Sequence, residues 1–375
     1  MLKANVDYFK NLDGLRFLCF LGVFAVHSLH NSNPALQSNF FFKYIVDGLF
    51  RHGAIGVNFF FVLSGFLITY LLIKEKQTTG QIKILHFWFK RVIRVWPLYF
   101  ACVFFGFVIF PFAKHVMGEG YAETAELKYY LTFLVNFDLI KNGVPDSVEL
   151  GVLWSVSVEE QFYFVWPLML YFLPVKKYWI AFLTVITTSI IFRIISINEH
   201  TGIYYYHTLS CMSDLAVGAL GAWLVNTRKF QETITNLSRL QISTIYFLFL
   251  LCFVFKTQIV EFSAITKVLE RLIISVLILL IILEQNYAKN SLFKIGNFKN
   301  ISKLGITTYG MYMLHVIAIN VVITIVKMLK LSDVAYVALF LSPLISLILT
   351  IYLSKFSYYY FEKPFLNMRR FLKKT

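Results

Sequence analysis

Residues 13–27 read DGLRFLCFLGVFAVH, a charged turn that becomes an apolar helix. Arg16 stands at one end and His27 at the other, separated by almost three whole helical turns. Both side chains therefore lie on one face of the predicted helix, ~16 Å apart along its axis. Ionisable groups at membrane depth usually face a bundle interior or a water-filled cavity, so the pair predicts a functional face. The alternative is that Arg16 is a cytoplasmic anchor and His27 an interfacial residue.

The chain as a whole has the composition of an integral membrane protein. Of its 375 residues, 58% are hydrophobic and 15% are charged, and a soluble domain of this length needs far more polar surface. The four cysteines lie within apolar runs and are expected to be buried thiols rather than disulfides or metal ligands. No cluster with metal-ligand spacing is evident in the sequence, so no metal site is expected.

Ten apolar runs approach the ~20 residues that a helix needs to cross the hydrocarbon core. They lie at roughly 15–30, 53–73, 92–112, 157–174, 178–196, 207–226, 241–256, 267–284, 304–326 and 334–356. A further apolar piece at 129–140 is too short to span and is expected to be interfacial or re-entrant. The predicted fold class is an all-α bundle of about ten transmembrane helices, forming a single domain over 1–375 with no appended soluble domain.

The distribution of basic residues predicts the orientation of this bundle. Ten spans place both termini on one side, and 24 of the 35 Lys and Arg residues then fall on inner segments, against 11 on outer segments. Such an excess is typical of cytoplasmic segments, so both termini are expected in the cytoplasm. The same distribution accounts for the net charge of +15 without invoking nucleic acid as a partner.

A second motif, FWFKRVIRVWPLYF at 87–100, leads into the third span and contains Lys90, Arg91 and Arg94. Positions three and four apart share a helix face, and guanidinium groups bind phosphate bidentately. The motif is therefore interpreted as a phosphate clamp. The alternative is that these three cations only anchor the orientation of the helix in the membrane.

The third motif, LWSVSVEEQFYFVWP at 153–167, contains Glu159 and Glu160. The topology predicts that both lie on the outer side, at the depth of His27. A carboxylate there would orient the imidazole, raise its basicity or hold an acceptor. Stabilisation of the helix N-terminus is the alternative.

A fourth motif, GITTYGMYMLH at 305–315, places Tyr312 and His315 on one helix face. His315 is expected near the middle of the bilayer. Two roles are open for His315 at this point. It is either a functional histidine or a structural one that is hydrogen-bonded to a neighbouring carbonyl.

Together these motifs resemble membrane-bound acyltransferase family 3, the bacterial O-acyltransferases that modify surface polysaccharides. The resemblance covers essentially the whole chain. It rests on LDGLRFL with the Arg-to-His spacing, FFFVLSGFLIT at 59–69, KRVIRVWPLY, LWSVSVEEQFYFVWP, TTYGMYMLH and the closing YYYFEKPF at 358–365. The family usually has Arg where this chain has Lys90, which keeps the charge but lacks the bidentate fork. Many relatives carry an extracytoplasmic hydrolase-like domain, and here any such partner domain is expected to be a separate protein or absent.

The resemblance implies a multi-pass enzyme of the bacterial cytoplasmic (inner) membrane. It would move an acyl group, by family an acetyl group, from acyl-CoA to a hydroxyl of a cell-surface or exported glycan. The CoA phosphates would contact four cations, Arg16, Lys90, Arg91 and Arg94. The expected partners are membrane lipid, a glycan or glycolipid acceptor and separate polysaccharide-synthesis proteins. No bound cofactor is expected, because acyl-CoA is the donor substrate.

In that reading His27 is the general base for the acceptor hydroxyl. Glu159 or Glu160 would orient or charge-balance it, while His315 and Tyr312 would stabilise the oxyanion or line the acceptor pocket. A covalent route through an acyl-histidine or an acyl-serine is also open. Packing between helices is the favoured role of the one serine considered, Ser64 in VLSGF.

Three other functions remain open. The same chemistry could serve a lipid, a peptide or a small-metabolite acceptor. A membrane transporter would also bury charge, but it predicts an inverted repeat, and none is evident. A non-catalytic scaffold would not need Arg16 and His27 on one helix face.

Overall fold

The computed structural model describes residues 9–29, 42–118, 120–199, 201–332 and 334–373, and within these ranges the chain is helical with no strands. Ten of the described helices have at least 15 residues. They are α1 (Lys10–Ser28), α2 (Ile55–Thr79), α3 (Ile84–Phe104), α4 (Leu153–Phe172), α5 (Tyr178–Ile195), α6 (Thr208–Leu224), α7 (Arg239–Val254), α8 (Ala264–Tyr287), α9 (Thr308–Met328) and α10 (Ser342–Phe356).

Shorter elements connect or extend these helices. The short α-helices are Phe110–Val116, Leu127–Leu131, Val135–Asn142, Val148–Gly151, Thr201–Tyr206, Arg228–Thr235, Lys256–Phe262, Lys299–Ile306 and Lys363–Asn367. The π-helical turns are Phe42–Val46, Phe105–Ile109, Val337–Leu341 and Ser357–Glu362, and the 3₁₀ turns are Phe50–Ala54, Val175–Lys177, Ile295–Asn297 and Met368–Lys373. The apolar piece at 129–140 forms parts of two short helices, too short to cross a bilayer.

Each long helix overlaps one of the ten predicted apolar runs. Five helical segments of the described chain are long and apolar enough to cross a membrane: Phe42–Thr79, Ile84–Val116, Val175–Ile195, Thr308–Met328 and Val337–Arg370. Two bent pairs raise the number to seven, namely Gly202–Leu224 with Arg228–Thr235 and Arg239–Val254 with Lys256–Phe262. The protein is thus a multi-pass membrane protein with five to seven candidate spans among the described residues, and the predicted count of about ten is not confirmed. Helices α1, α4 and α8 are outside this set, and each carries charged residues within its length.

Helix α2 lies at the centre of the bundle and packs closely against α6. Gly65 of α2 faces the backbone carbonyl of Leu215, and Gly218 of α6 faces the carbonyl of Val62. A Cβ atom at either glycine would collide with the opposite oxygen. Small residues allow membrane helices to approach backbone to backbone, so these two glycines set the separation between α2 and α6.

A buried ion pair joins α6 to α8. The carboxylate of Asp214 accepts hydrogen bonds from Nε (2.9 Å) and forms an ion pair with Nη2 (2.8 Å) of Arg271. Ser275 Oγ donates to the same carboxylate at 2.8 Å, and Asn58 Nδ2 of α2 donates at 3.0 Å. Asp214 is fully buried. The network therefore ties α2, α6 and α8 together through one carboxylate.

We expect Asp214→Asn to destabilise the protein strongly. The substitution leaves the Arg271 guanidinium buried without a counter-charge, which costs about 3 kcal/mol. Thermal unfolding of the purified protein in detergent measures the effect. Glu232→Gln is the matched control, because Glu232 accepts from Arg228 at 2.8 Å in an exposed pair worth at most about 1 kcal/mol. Equal losses of stability in the two variants would contradict the structural role of Asp214.

The segment leading into α4 packs against α9 through a second buried carboxyl. Glu149 is 1% exposed, and its Oε2 accepts from Asn320 Nδ2 of α9 at 3.3 Å. Burial raises the pKa of Glu149 to about 7. The folded protein therefore holds this proton more tightly than the unfolded chain does.

This difference predicts how stability depends on pH. Between about pH 4.5 and pH 7 the folded state binds the proton of Glu149 and the unfolded state releases it, so stability falls as pH rises through this window. Glu149→Gln has no proton to lose. Its melting temperature should match that of the unmodified protein at pH 5 and exceed it at pH 8. The same pH dependence in both proteins would show that Glu149 does not titrate in this way.

Candidate active site

A cavity of roughly 320 Å³ opens between α1, α2, α3, α4 and α9. Much of its wall is apolar. Its polar lining residues are Arg16, Ser64, Arg91, Arg94, Ser155, Glu159, Tyr163, Thr308, Tyr309, Tyr312 and Arg369. A second cavity adjoins it and shares three lining residues with it, Arg16, Arg94 and Tyr309. The second cavity is also lined by Asp13, Ile306, Tyr358, Glu362 and Leu366.

Three of the four predicted phosphate-binding cations converge on the first cavity. Arg16 comes from α1, and Arg91 and Arg94 from the first half of α3. Arg16 Nη1 forms an ion pair with Asp13 Oδ1 at 2.7 Å. The Arg91 guanidinium lies 5.6 Å from the ring centre of Tyr163, and its buried Nε has no hydrogen-bond partner among the described residues. These guanidinium groups therefore present donors toward one shared space.

Lys90 does not join this group. Its side chain is exposed and lines neither cavity. The residue precedes Arg91 by one position, and one residue turns a helix by about 100°, so Lys90 faces away from the Arg91 side of α3. The predicted contact between Lys90 and a phosphate therefore does not fit the cavity, and Arg369 provides the fourth cation of its lining instead.

Glu159 lies within a small hydrogen-bond network in the cavity wall. Its Oε1 accepts from Ser64 Oγ at 2.7 Å, and its Oε2 accepts from the Tyr163 hydroxyl at 2.8 Å. The Tyr163 hydroxyl also lies 3.1 Å from Ser64 Oγ. Glu159 thus lines the same cavity as Arg16.

Helix α4 begins earlier than the sequence predicted. The helix begins at Leu153, four residues before the predicted start of the fourth span, so Glu159 lies about 9 Å inside it. His27 lies one residue before the end of α1. The neighbouring Glu160 lines neither cavity, and its Oε2 accepts from Trp96 Nε1 at 2.9 Å. The described hydrogen bonds of these two carboxylates are made with residues of α2, α3 and α4.

The ring of His27 instead lies against His315 of α9. The two ring centres are 5.1 Å apart in an edge-to-face arrangement. His315 is fully buried, and its Nδ1 lies 2.6 Å from the backbone carbonyl of Tyr312. Because a carbonyl oxygen only accepts, Nδ1 carries the proton. In the neutral ring Nε2 is then an acceptor, and it has no partner among the described residues.

Tyr312 connects the two histidines to the cavity. Its hydroxyl lies 2.6 Å from Ser155 Oγ of α4, and both residues line the cavity. Its ring centre lies 5.7 Å from that of His315, one helical turn further along α9. Neither histidine lines the two cavities described here. The sequence therefore placed Tyr312 and His315 correctly on one helix, and the structure places His27 beside them.

A family model described as an acyltransferase domain (Acyl_transf_3) matches residues 9–358. The chain belongs to this acyltransferase family. The family predicted from the motifs is confirmed, and with it the enzyme class, because the similar proteins are named O-acetyltransferases. The match to the acyltransferase family includes the cavity residues of α1, α2, α3, α4 and α9, and it ends before Arg369.

Several curated proteins are similar to this member of the family. Peptidoglycan O-acetyltransferase OatA of Listeria monocytogenes serovar 1/2a is 25% identical over 330 residues, which cover 84% of this chain and 50% of that protein. A putative O-acetyltransferase of Staphylococcus aureus strain COL is 30% identical over 234 residues, 59% of this chain and 35% of its own length. O-acetyltransferase OatA of S. aureus strain NCTC 8325 is 31% identical over 173 residues, 44% of this chain and 25% of its own length.

The chain thus spans about half or less of the length of these relatives. No solved structure matches it significantly.

Sequence reasoning missed several residues of the two cavities, and Arg369, Tyr163 and Asp13 are the most informative of them. Arg369 lies in a basic C-terminal stretch that resembles a topology anchor, and Tyr163 lies among other aromatic residues of α4. Asp13 was visible in the opening motif, three residues before Arg16. That spacing is a signal for an ion pair on one helix face, and the structure contains this pair.

Proposed function

We propose that this chain is an integral membrane O-acyltransferase that moves an acetyl group from acetyl-CoA to a hydroxyl of a cell-surface or exported glycan. The observation that carries the proposal is the first cavity, whose lining combines a cluster of guanidinium groups with apolar side chains and Tyr312. Acetyl-CoA has the matching distribution of chemistry. Its phosphates are at one end, its thioester is at the other, and a long arm joins them.

The donor would bind with its phosphates at Arg16, Arg91 and Arg94. Guanidinium groups bind phosphate oxygens bidentately, and such charge-assisted hydrogen bonds are strong where water is excluded. The pantetheine arm would follow the apolar wall formed by α2 residues such as Leu67 and Phe60. The thioester would then reach the region of Tyr312.

His27 would act as the general base. It would take the proton of the acceptor hydroxyl while the oxygen attacks the thioester carbonyl. Tyr312 would donate its hydroxyl proton to the resulting oxyanion as a hydrogen bond. Collapse of the tetrahedral intermediate would break the carbon–sulfur bond, and the imidazolium of His27 would return the proton to the CoA thiolate. The products are an acetyl ester and free CoA.

His315 would take the orienting role first assigned to Glu159 or Glu160. Its Nδ1 is held by the Tyr312 carbonyl, so its ring position is fixed against His27. A neutral imidazole beside His27 would leave the base uncharged in the resting state. Glu159 would instead fix Ser64 and Tyr163 and balance part of the arginine charge.

The glycan acceptor is supported by the name of one relative, a peptidoglycan O-acetyltransferase, which shares 84% of this chain's length in alignment. The proposed topology keeps ten spans and both termini in the cytoplasm of a bacterium, within the cytoplasmic membrane. The basic residues of the inner segments support it. Under this topology Arg16 faces the cytoplasmic supply of acetyl-CoA and His27 faces the outer side, where an exported glycan arrives.

The decisive test uses a strain that lacks the gene. We expect mass spectrometry of its surface polysaccharide to show loss of an acetyl mass, restored by the unmodified chain and not by His27→Ala. His115→Ala is the control, because His115 is exposed and lines neither cavity. Restoration by His27→Ala would exclude His27 as the base. An unchanged glycan in the deletion strain would overturn the glycan acceptor and favour a lipid or a small metabolite.

The cavity geometry makes a second prediction about neighbouring cations. Arg94→Ala should raise the KM for acetyl-CoA by about tenfold or more, since one charge-assisted contact is worth roughly 1.5–3 kcal/mol. Lys90→Ala should change the KM by less than twofold, because Lys90 is exposed and outside the cavity. Release of CoA thiol by the purified protein in lipid nanodiscs measures both. Equal effects at Lys90 and Arg94 would contradict the proposed donor site.

A further inference from the structure

The chain beyond the family match turns back over the donor cavity. The last helical segment, Met368–Lys373, follows the short helix Lys363–Asn367. It contributes Arg369 to the lining of the first cavity, beside the arginines of α1 and α3. The Arg369 side chain is exposed, so it stands at the mouth of the cavity rather than in its depth.

The chain between α10 and Met368 lines the second cavity. Tyr358, Glu362 and Leu366 face that space, opposite Arg16 and Arg94. Ser357 Oγ donates to Glu362 Oε1 at 2.9 Å, which fixes this carboxylate in the wall. The chain after α10 thus contributes to both cavities at the point where they meet.

The electrostatics of the first cavity favour an occupant with several negative charges. Among the described residues four arginines line it, and Glu159 is the one carboxylate in that lining. The other acidic groups nearby have partners of their own: Asp13 is paired with Arg16, Glu160 accepts from Trp96, and Glu362 of the second cavity accepts from Ser357. Like charges repel strongly where the dielectric is low, so this convergence is favourable when an anion with more than one phosphate lies between the guanidinium groups.

We infer that Arg369 binds the 3′-phosphate of the CoA donor, and that the segment after α10 forms the outer wall of the nucleotide site. This inference rests on the proposed function. The diphosphate of CoA lies between the pantetheine arm and the ribose, so it belongs near the deeper Arg16, Arg91 and Arg94. The 3′-phosphate lies on the ribose, at the end furthest from the thioester, and therefore belongs at the mouth with Arg369.

A comparison of two donors tests the assignment. The full chain in lipid nanodiscs is titrated with acetyl-CoA and with acetyl-3′-dephospho-CoA, and the Kd of each is measured by equilibrium filtration. We expect the unmodified chain to bind acetyl-CoA about tenfold more tightly than the dephospho donor. Arg369→Gln should lose about tenfold for acetyl-CoA and less than twofold for the dephospho donor. Arg369→Lys should fall between, because lysine keeps the charge without the fork.

Arg370→Gln is the matched control. Arg370 is the next residue, is exposed, and lines neither cavity, so its substitution should leave both Kd values unchanged. The melting temperature of each variant in detergent shows whether it is folded. Because Arg369 is exposed, we expect its substitution to leave the melting temperature unchanged.

The possible failures are distinct. If the unmodified chain binds neither donor, the proposed function fails. If it binds acetyl-CoA and Arg369→Gln behaves like Arg370→Gln, the donor site stands and the role of Arg369 is wrong. If Arg369→Gln weakens both donors equally, the 3′-phosphate assignment is overturned while the donor site remains.

Discussion

A guanidinium inside an apolar helix bundle needs a counter-charge or polar acceptors, and this constraint organises the two arginine sites described above. On the side of α2 that faces α6 and α8 the constraint is met within the chain, because Asp214 accepts from Arg271 and from neutral donors around it. On the side that faces α1 and α3 it is met only partly, because Arg16 has Asp13 while the donors of Arg91 face a cavity. The first cluster is therefore closed and structural, whereas the second is open and suited to a ligand. The same residue type serves both purposes, and only the surrounding geometry separates them.

The parts of this arrangement that depend on one helix at a time could be predicted from the sequence. Hydrophobic runs located all ten long helices, because an apolar stretch of sufficient length has few alternatives in a membrane. The spacing between Arg16 and His27 predicted that they share one helix, and α1 contains both. Likewise Arg91 and Arg94 lie on one side of α3 because positions three apart share a face. The number of spans was less predictable. Helix α4 carries polar residues that line the cavity. These residues lower its mean hydropathy, which is the property by which a membrane span is recognised.

The contacts between helices could not be predicted in the same way. Helix α4 begins four residues before the predicted start of the fourth span, and one helical turn shifts a side chain by more than 5 Å, so the position of Glu159 relative to its neighbours does not follow from the sequence. The contact of His27 with His315 joins residues nearly three hundred positions apart, and no local pattern encodes it. Arg369 presents a different difficulty. A basic residue near a chain end normally indicates orientation in the membrane, and only the return of the chain over the cavity gives it a second meaning.

The stretch VLSGF in α2 shows how packing and a site depend on one another. From sequence alone, its serine was taken as a small packing residue beside Gly65. In the structure Gly65 does the packing, with its Cα face against the Leu215 carbonyl of α6, whereas Ser64 donates to Glu159 on the cavity side. Adjacent helix positions point about 100° apart, so fixing Gly65 against α6 also fixes the direction of Ser64. The close α2–α6 contact therefore fixes the direction from which Ser64 reaches Glu159, although Gly65 itself does not line the cavity.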